Sequence, residues 1–400
     1  MARYRVLSLD GGGCWALIQA KALMTLFGED TPGWDVLRQF DLAAANSGGS
    51  IVLGCLVANL SPKQIYGFFM DEAKRRSMFS PTKDLRSKIL KDIAHIGPKY
   101  DTAQKLAGLR AALPGAGDKT LTDAISGCLG HLGTGDAVRL LIVGFDYDRN
   151  RAAFFRSAQS GGKSYGTGEI SGVTLAQAIH ASTNAPVNYF DAAAELPGDY
   201  RYWDGGITGN NNPVLVGVTE AVTTTKEFTE VVALSLGTGT VALPWPQTGE
   251  EDSPFVRQLG KTGLINDLQK LASAILDDPP DMASFVAHVL TGSGATLPHG
   301  CPADSQIVRM SPMISPVRDA ETKNWTPPAG MVEDDFMALV NMPMDVLEQE
   351  QVQRISDYAD LWLQDKAPNQ PIRMDGDSLK LEIGQGTFGA AKAAWESVRD

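Results

Sequence analysis

Hydrophobic and polar positions along the first 240 residues change period repeatedly, which predicts strands and helices in alternation. Short apolar runs of about four to eight residues are typical of buried strands, and longer runs with apolar positions three and four apart are typical of helices. We expect strands at 4–9, 37–45, 138–145, 152–156, 200–203 and 230–236, and helices at 16–27, 51–57, 62–78, 120–129, 173–181 and 214–222. This alternation predicts an α/β fold with a mainly parallel central sheet.

The pattern changes after Pro244. Residues 246–254 are polar and acidic and predict a loop, and the remainder predicts helical stretches at about 259–290, 333–363 and 386–398. The sequence contains no repeat and no low-complexity linker between the two parts. We therefore expect a core over 1–245 and a mainly helical C-terminal extension over 246–400 that packs on the same domain.

The first loop of interest is Asp10-Gly11-Gly12-Gly13, between a predicted strand and a predicted helix. Successive glycines allow backbone N–H groups to point outward, and a helix N-terminus adds a partial positive charge. The loop is therefore a candidate cradle for an anion, and a plain flexible turn is the alternative.

Two nucleotide-binding interpretations are disfavoured. The dinucleotide spacing would use Gly11, Gly13 and Ala16, but no acidic residue about 20 positions later ends a clear second strand. The string Gly162-Lys163-Ser164 resembles the end of a phosphate-binding loop, which requires a glycine where this chain has Ser157.

The second loop is Ala45-Asn46-Ser47-Gly48-Gly49, between an apolar strand and a buried helix. A serine on a tight turn in this position is the context of a nucleophile elbow. Gly48 and Gly49 would allow the helix to approach the strand closely, and Asn46 is a residue type that tolerates a strained backbone. Ser47 is the candidate nucleophile.

A serine nucleophile needs a base, because its own proton is held too tightly at neutral pH. The chain has five histidines, at positions 95, 131, 180, 288 and 299, and none follows a predicted strand with an acid behind it. His180 is the nearest candidate, but it lies within an apolar helix pattern. Asp204 ends a predicted strand and precedes Gly205 and Gly206, which leave its carboxylate accessible; the alternative is an aspartate that caps its own turn. Ser47 and Asp204 could form a dyad, with the N–H groups of Gly11, Gly12 and Gly13 as an oxyanion hole.

Together these motifs resemble those of the patatin-like phospholipases, clearly over residues 4–240 and loosely beyond. Further similar blocks are 181–186, 211–213 and 235–239. The resemblance implies a three-layer α/β/α sandwich, catalysis by Ser47 and Asp204, hydrolysis of acyl esters from lipids, and no metal or organic cofactor. The family commonly has Arg and Gly where this chain has Trp15 and Ala16, and Gly where it has Ala45.

Composition narrows the possible partners. The chain has 400 residues and a net charge of −12, which disfavours binding to nucleic acid polymers. Its four cysteines form no CxxC pair, which indicates a reducing compartment without structural zinc. The N-terminus lacks a long apolar segment, and no apolar stretch is long enough to span a bilayer, so we expect a cytoplasmic protein.

One local stretch departs from the acidic average. Residues 74–91 contain seven basic residues and one acid, interleaved with apolar side chains. Such a segment is either a solvated helix face or a surface that contacts anionic lipid headgroups at a membrane.

The sequence therefore predicts a phospholipase A-type lipid acyl hydrolase that acts on phospholipids or other acyl-ester lipids. Two alternatives stay open: a ligand-activated patatin-like effector of a bacterial anti-phage system, and a non-catalytic binding protein with a degraded oxyanion loop, which Trp15 motivates.

Overall fold

The computed structural model describes residues 3–78, 101–133, 135–157, 172–186, 190, 192–224, 230–258, 279–292, 305–319, 321–375 and 379–399. The strands are β1 (Arg3–Leu9), β2 (Leu42–Ala45), β3 (Arg139–Asp146), β4 (Arg151–Arg156), β5 (Ala194–Leu196), β6 (Tyr200–Asp204), β7 (Glu230–Leu236), β8 (Thr240–Val241), β9 (Ile307–Met310), β10 (Met313–Ile314), β11 (Val317–Arg318), β12 (Trp325–Thr326), β13 (Arg373–Asp375) and β14 (Lys380–Ile383). The α-helices are α1 (Leu17–Phe27), α2 (Gly33–Leu37), α3 (Ser47–Val57), α4 (Pro62–Met70), α5 (Glu72–Met78), α6 (Thr102–Ala112), α7 (Leu121–Ile125), α8 (Leu175–Ser182), α9 (Val214–Thr224), α10 (Pro279–Leu290), α11 (Glu333–Val340), α12 (Gln349–Leu363) and α13 (Phe388–Arg399).

The central sheet has eight strands in the order β5-β6-β3-β2-β1-β7-β9, with β4 also paired to β3. The five strands from β3 to β9 are parallel, and β4, β5 and β6 add antiparallel pairs at one side. The predicted α/β class with a mainly parallel sheet is confirmed.

Successive residues of the parallel strands point to opposite faces of the sheet, and both faces are buried. On one face Leu7 and Leu9 pack in a core cluster with α1, α3, α8 and α12. On the other face Tyr4 and Val6 pack in a second cluster with α9 and α10. Helices therefore cover both sides of the sheet, which is the predicted three-layer arrangement.

Two strands meet end to end along one edge of β3. Strand β4 pairs with residues 141–146 of β3, so it occupies one edge of that strand. Strand β2 pairs in parallel with residues 139–142, and β6 pairs in antiparallel fashion with residues 144–146. These two must share the opposite edge, so the carboxyl end of β2 points at the carboxyl end of β6.

Several element boundaries differ from the sequence prediction. Strand β2 begins only at Leu42, because Gly33–Leu37 forms a helix. The predicted helix 62–78 is two helices, separated at Asp71, whose carboxylate accepts hydrogen bonds from the N–H groups of Ala73 and Lys74. The extension was expected to be helical, yet it also supplies β9, which pairs in parallel with β7 inside the central sheet.

The basic stretch at 74–91 is described only as far as Met78, and its remaining residues lie outside the described part of the chain. Within it, Arg75 is fully buried and donates to the carbonyl oxygens of Phe69 and Leu347, so it is not a surface charge. Among the described residues, no helix is long and apolar enough to cross a bilayer.

Candidate active site

Ser47 is the residue at which the chain reverses between β2 and α3. Its φ is +46°, a left-handed conformation that costs a residue with a side chain about 1–3 kcal/mol. Asn46 is extended, with φ of −130°, so the strain falls on Ser47 and not on Asn46 as the sequence suggested. A Cβ atom at Gly49 would lie 2.4 Å from the Leu9 carbonyl oxygen, which explains why glycine follows the serine so closely.

Neighbouring polar groups fix this turn. The Ser47 N–H donates to the Ser182 hydroxyl oxygen at 2.9 Å, and the Ser50 hydroxyl donates to the Ser47 carbonyl oxygen at 2.6 Å. Ser47 is itself partly exposed, whereas Asn46 and Ser50 are buried. The turn therefore presents the Ser47 side chain from an otherwise buried loop.

Asp204 ends β6 and lies beside Ser47. It is 6% exposed, and its Oδ1 accepts hydrogen bonds from the Gly206 N–H at 2.8 Å and from Asn46 Nδ2 at 3.2 Å. Burial raises the pKa of the Asp204 carboxyl above its usual value. The Ser47 side chain is the largest influence that lowers it, so the structure brings the two predicted residues close together.

The glycine loop meets Ser47 from the carboxyl end of β1. A Cβ atom at Gly11 would lie 3.0 Å from the Cβ of Ser47, so glycine is required there for the two loops to approach. The Gly11 N–H donates to the Asn211 carbonyl oxygen at 2.9 Å and is therefore occupied. Within the described chain, the N–H groups of Gly12 and Gly13 make no hydrogen bond, so two of the three predicted donors are available.

The C-terminal extension holds this loop in place. The Cys14 N–H donates to the Met344 carbonyl oxygen at 3.1 Å, and Trp15 Nε1 donates to the Pro343 carbonyl oxygen at 3.1 Å. The Trp15 side chain is 6% exposed. Patatin-like phospholipases commonly have a basic residue at this position. Here the buried Trp15 side chain instead hydrogen-bonds to the C-terminal extension.

A buried ion pair lies behind the loop, and the sequence analysis missed it. Arg309 of β9 is 2% exposed and contacts Asp10 Oδ2 at 2.6 Å, while its other contacts are Ser235 Oγ at 2.9 Å and Gln370 Oε1 at 3.1 Å. Burial raises the pKa of Asp10 to about 6, against the opposing influence of Arg309. Arg309 lies between the predicted helical stretches 259–290 and 333–363, where the sequence analysis predicted no strand.

A cavity of about 1000 Å³ extends from the glycine loop into the extension. Gly11 and Gly12 form part of its wall, and Arg373, whose side chain is 51% exposed, also contributes. Most of the remaining lining is apolar and rich in methionine, including Met282, Met313, Leu339, Met342 and Met344. Flexible thioether side chains fill irregular space and accommodate varied apolar ligands.

Among the described histidines, none hydrogen-bonds Ser47 or Asp204. Within α8, His180 is buried, and burial lowers its pKa to about 2, with Lys105 and Arg110 as further causes. His131 Nδ1 contacts Arg5, and His288 Nδ1 contacts Ser305. Positions 95 and 299 lie outside the described residues, and within those residues no group of three metal-ligating side chains is found.

The sequence matches the patatin-like phospholipase family over residues 7–218. The chain belongs to the patatin-like phospholipase family. The matched segment contains the glycine loop, Ser47 and Asp204, and it ends before the strand that carries Arg309. The family recognised from the sequence motifs is therefore confirmed. No curated protein sequence matches the patatin-like chain.

Two solved structures are similar to this patatin-like protein at low identity. VipD from Legionella pneumophila is 11% identical with a TM-score of 0.33, and the alignment covers 90% of this chain and 66% of VipD. Full-length ExoU of the Pseudomonas aeruginosa type III secretion system, solved with SpcU, is 13% identical with a TM-score of 0.27, covering 74% of this chain and 53% of the matched chain. The chain thus spans less than two thirds of the length of either structure.

Proposed function

We propose that this patatin-like protein is a phospholipase A-type lipid acyl hydrolase in which Ser47 is the nucleophile and Asp204 is the general base. The observation that supports it is the close approach of the strained, partly exposed Ser47 to the buried carboxylate of Asp204. Strain at a functional turn and a perturbed carboxyl pKa are both common features of catalytic sites.

In the first half-reaction, Asp204 accepts the hydroxyl proton as Ser47 Oγ attacks the ester carbonyl carbon. The resulting tetrahedral intermediate places a negative charge on the former carbonyl oxygen. The free N–H groups of Gly12 and Gly13 would stabilise that charge, with Gly11 providing the space that the substrate needs. When the intermediate collapses, Asp204 returns the proton to the departing alcohol oxygen, and the acyl group stays on Ser47.

In the second half-reaction, water attacks the acyl-enzyme carbonyl carbon and gives its proton to Asp204. The same two N–H groups would hold the second oxyanion. Collapse of this intermediate breaks the bond to Ser47 Oγ, which recovers its proton from Asp204, and a free fatty acid is released. The proposed chemistry uses no metal or organic cofactor.

The cavity beside the glycine loop supports a substrate with a long apolar chain. Gly11 lies next to Ser47 and also lines the cavity, so a chain that begins at the attacked carbonyl could continue along the loop into the methionine-rich space. We propose that the acyl group lies there during the reaction. Contact with an anionic lipid surface through residues 74–91 also stays a proposal, and buried Arg75 has no part in it.

The decisive experiment compares the wild type with Ser47→Ala on a mixed phospholipid extract, with products analysed by mass spectrometry. We expect release of fatty acid by the wild type and none above background by the variant. The matched control is Ser126→Ala, an exposed serine at the end of α7, which should retain full activity. Fatty-acid release by a folded Ser47→Ala variant would refute the assignment.

The two alternatives differ from this proposal in what the purified protein does alone. A ligand-activated effector would hydrolyse lipid only after addition of a nucleotide second messenger. A non-catalytic binding protein would leave Ser47 unreactive toward a fluorophosphonate probe. We expect labelling of Ser47 and lipid hydrolysis without any added nucleotide.

A further inference from the structure

Lys105 of α6 is a lysine in the protein interior. It is 2% exposed, although lysine is rarely buried without a partner because removing an ammonium from water costs several kcal/mol. Nothing in the sequence around Lys105 predicted that its side chain would be buried. A buried lysine ammonium is stable only if nearby groups compensate its charge.

The surroundings of the ammonium are mostly neutral. Lys105 Nζ donates to Asn184 Oδ1 at 2.8 Å and to the His180 carbonyl oxygen at 3.2 Å, and it lies 3.9 Å from the centroid of the Phe190 ring. Among the described residues, no carboxylate lies within salt-bridge distance of it. The ammonium is therefore held by dipoles and a ring face and not by a direct ion pair.

Asn184 connects Lys105 to the proposed base. Its side-chain oxygen accepts from Lys105, and its backbone carbonyl oxygen accepts from the Asp204 N–H at 3.0 Å. Its Nδ2 donates to the Ala192 carbonyl oxygen at 2.6 Å, and the residue is fully buried. One rigid asparagine thus contacts the buried cation and the backbone of Asp204.

Lys105 and Asp204 influence each other electrostatically. Burial lowers the pKa of Lys105 well below its usual value, and Asp204 is the charged group that opposes this change. In return, Lys105 lowers the pKa of Asp204, after the contributions of Ser47, the Gly206 N–H and Asn46. His180, on the helix packed against α6, is kept neutral by its burial and adds no competing charge.

We propose that Lys105 is a positioning residue whose ammonium, acting through Asn184 and across the protein interior, keeps Asp204 ionised and oriented beside Ser47. The inference rests on the function proposed above, since it assigns a task to Lys105 only if Asp204 is the base. An ionised Asp204 is the form that can accept the Ser47 proton. Lys105 supplies buried positive charge near the dyad from a residue outside the three family motifs.

The test is the pH dependence of kcat/KM on a soluble p-nitrophenyl ester for the wild type, Lys105→Met and Lys105→Gln. Met removes both the charge and the hydrogen bond to Asn184, whereas Gln removes the charge and keeps a donor. We expect the acidic limb of the pH profile to move to higher pH in both variants, by up to about one unit, because a nearby opposite charge favours the ionised form of a carboxyl group. The activity at high pH should be largely retained.

The matched control is Lys63→Met, which removes an exposed lysine paired with Glu29. It should leave the acidic limb of the pH profile unchanged. A lower kcat with an unmoved limb in both Lys105 variants would indicate a structural role and overturn the proposal, as would failure of both variants to fold. A limb that moves in Met but not in Gln would assign the effect to the hydrogen bond and overturn the role of charge.

The outcomes also separate this inference from the proposed function. Hydrolysis by Ser47→Ala would remove the proposed function whatever Lys105 does. If Ser47→Ala is inactive but the acidic limb of the pH profile is unchanged in the Lys105 variants, the proposed function stands and only the role of Lys105 is refuted.

Discussion

Ser47 and Asp204 lie close together although 157 positions separate them in the chain, because β2 and β6 run toward each other along the same edge of β3. Ala45 pairs with Ile142 and Asp204 pairs with Gly144, so the ends of the two strands are only two residues of β3 apart. The strained turn then brings the Ser47 side chain near the carboxylate. A rigid sheet, and not a flexible loop, sets this geometry.

Replacing Asp204 by Asn should remove the base and keep its shape. We expect kcat/KM on a soluble ester to fall about 10²–10⁴-fold, which is the usual contribution of general acid–base catalysis. Thermal unfolding should change little, because the amide oxygen can still accept from the Gly206 N–H. The control is Asp334→Asn at the exposed start of α11, which should leave the rate unchanged; a similar loss in both variants would contradict the assignment.

Gly13→Ala should disrupt the proposed oxyanion loop. Gly13 has φ of +56°, and an added Cβ would lie 2.6 Å from the Met344 carbonyl oxygen, so the loop must shift. We expect kcat to fall about 10²–10³-fold, the usual cost of losing one oxyanion donor. Gly67→Ala in α4 is the control, because nothing lies within 4 Å of its new methyl group. That change should stabilise the protein by about 0.5–1 kcal/mol without altering kcat.

Arg309→Met should destabilise the fold by an amount that depends on pH. Removing the arginine leaves Asp10 buried without its counter-charge, and breaking such a pair costs about 3–5 kcal/mol. The pKa of Asp10, already raised to about 6, would rise further in the folded variant. A raised folded pKa means stability that is present at low pH and lost as pH rises. The difference in unfolding free energy from the wild type should therefore be larger at pH 8 than at pH 5.

Urea unfolding at the two pH values measures this difference. The double variant Asp10→Asn/Arg309→Met is the control, because it removes the carboxylate whose titration causes the pH dependence. An equal loss of stability at pH 5 and pH 8 in Arg309→Met would contradict the role assigned to the Asp10 carboxylate.

Met342→Trp should reduce the volume of the cavity next to the glycine loop. We expect the ratio of kcat/KM for a long-chain ester to that for a short-chain ester to fall about tenfold, within the range that differences in apolar pocket contacts produce. The short-chain ester serves as the internal control, since it does not reach the cavity. An unchanged ratio would place the acyl chain elsewhere.

The sequence made the order of strands and helices in the first 240 residues predictable, since burial on two faces leaves a local apolar pattern. It also indicated the three loops of the site, because each combines a strand end with glycines that a close approach of neighbouring segments requires. The sheet position of β9 was not predictable, because a strand of only four residues between the predicted helical stretches 259–290 and 333–363 carries little local signal. The boundaries of β2 and α4 differed from the prediction for local reasons: a short helix precedes β2, and the Asp71 carboxylate accepts from the N–H groups of Ala73 and Lys74 after α4.

The sequence by itself determined which side chains and loops the patatin-like fold would present: Ser47 on a tight turn, Asp204 at a strand end and the glycines at 11–13. Only the tertiary structure decided which groups surround them. It occupied the Gly11 N–H with Asn211, placed Arg309 behind the loop and buried Lys105 near Asp204. The physical reason is that local patterns report how a segment is buried, whereas buried charges and engaged donors depend on contacts between residues distant in the chain.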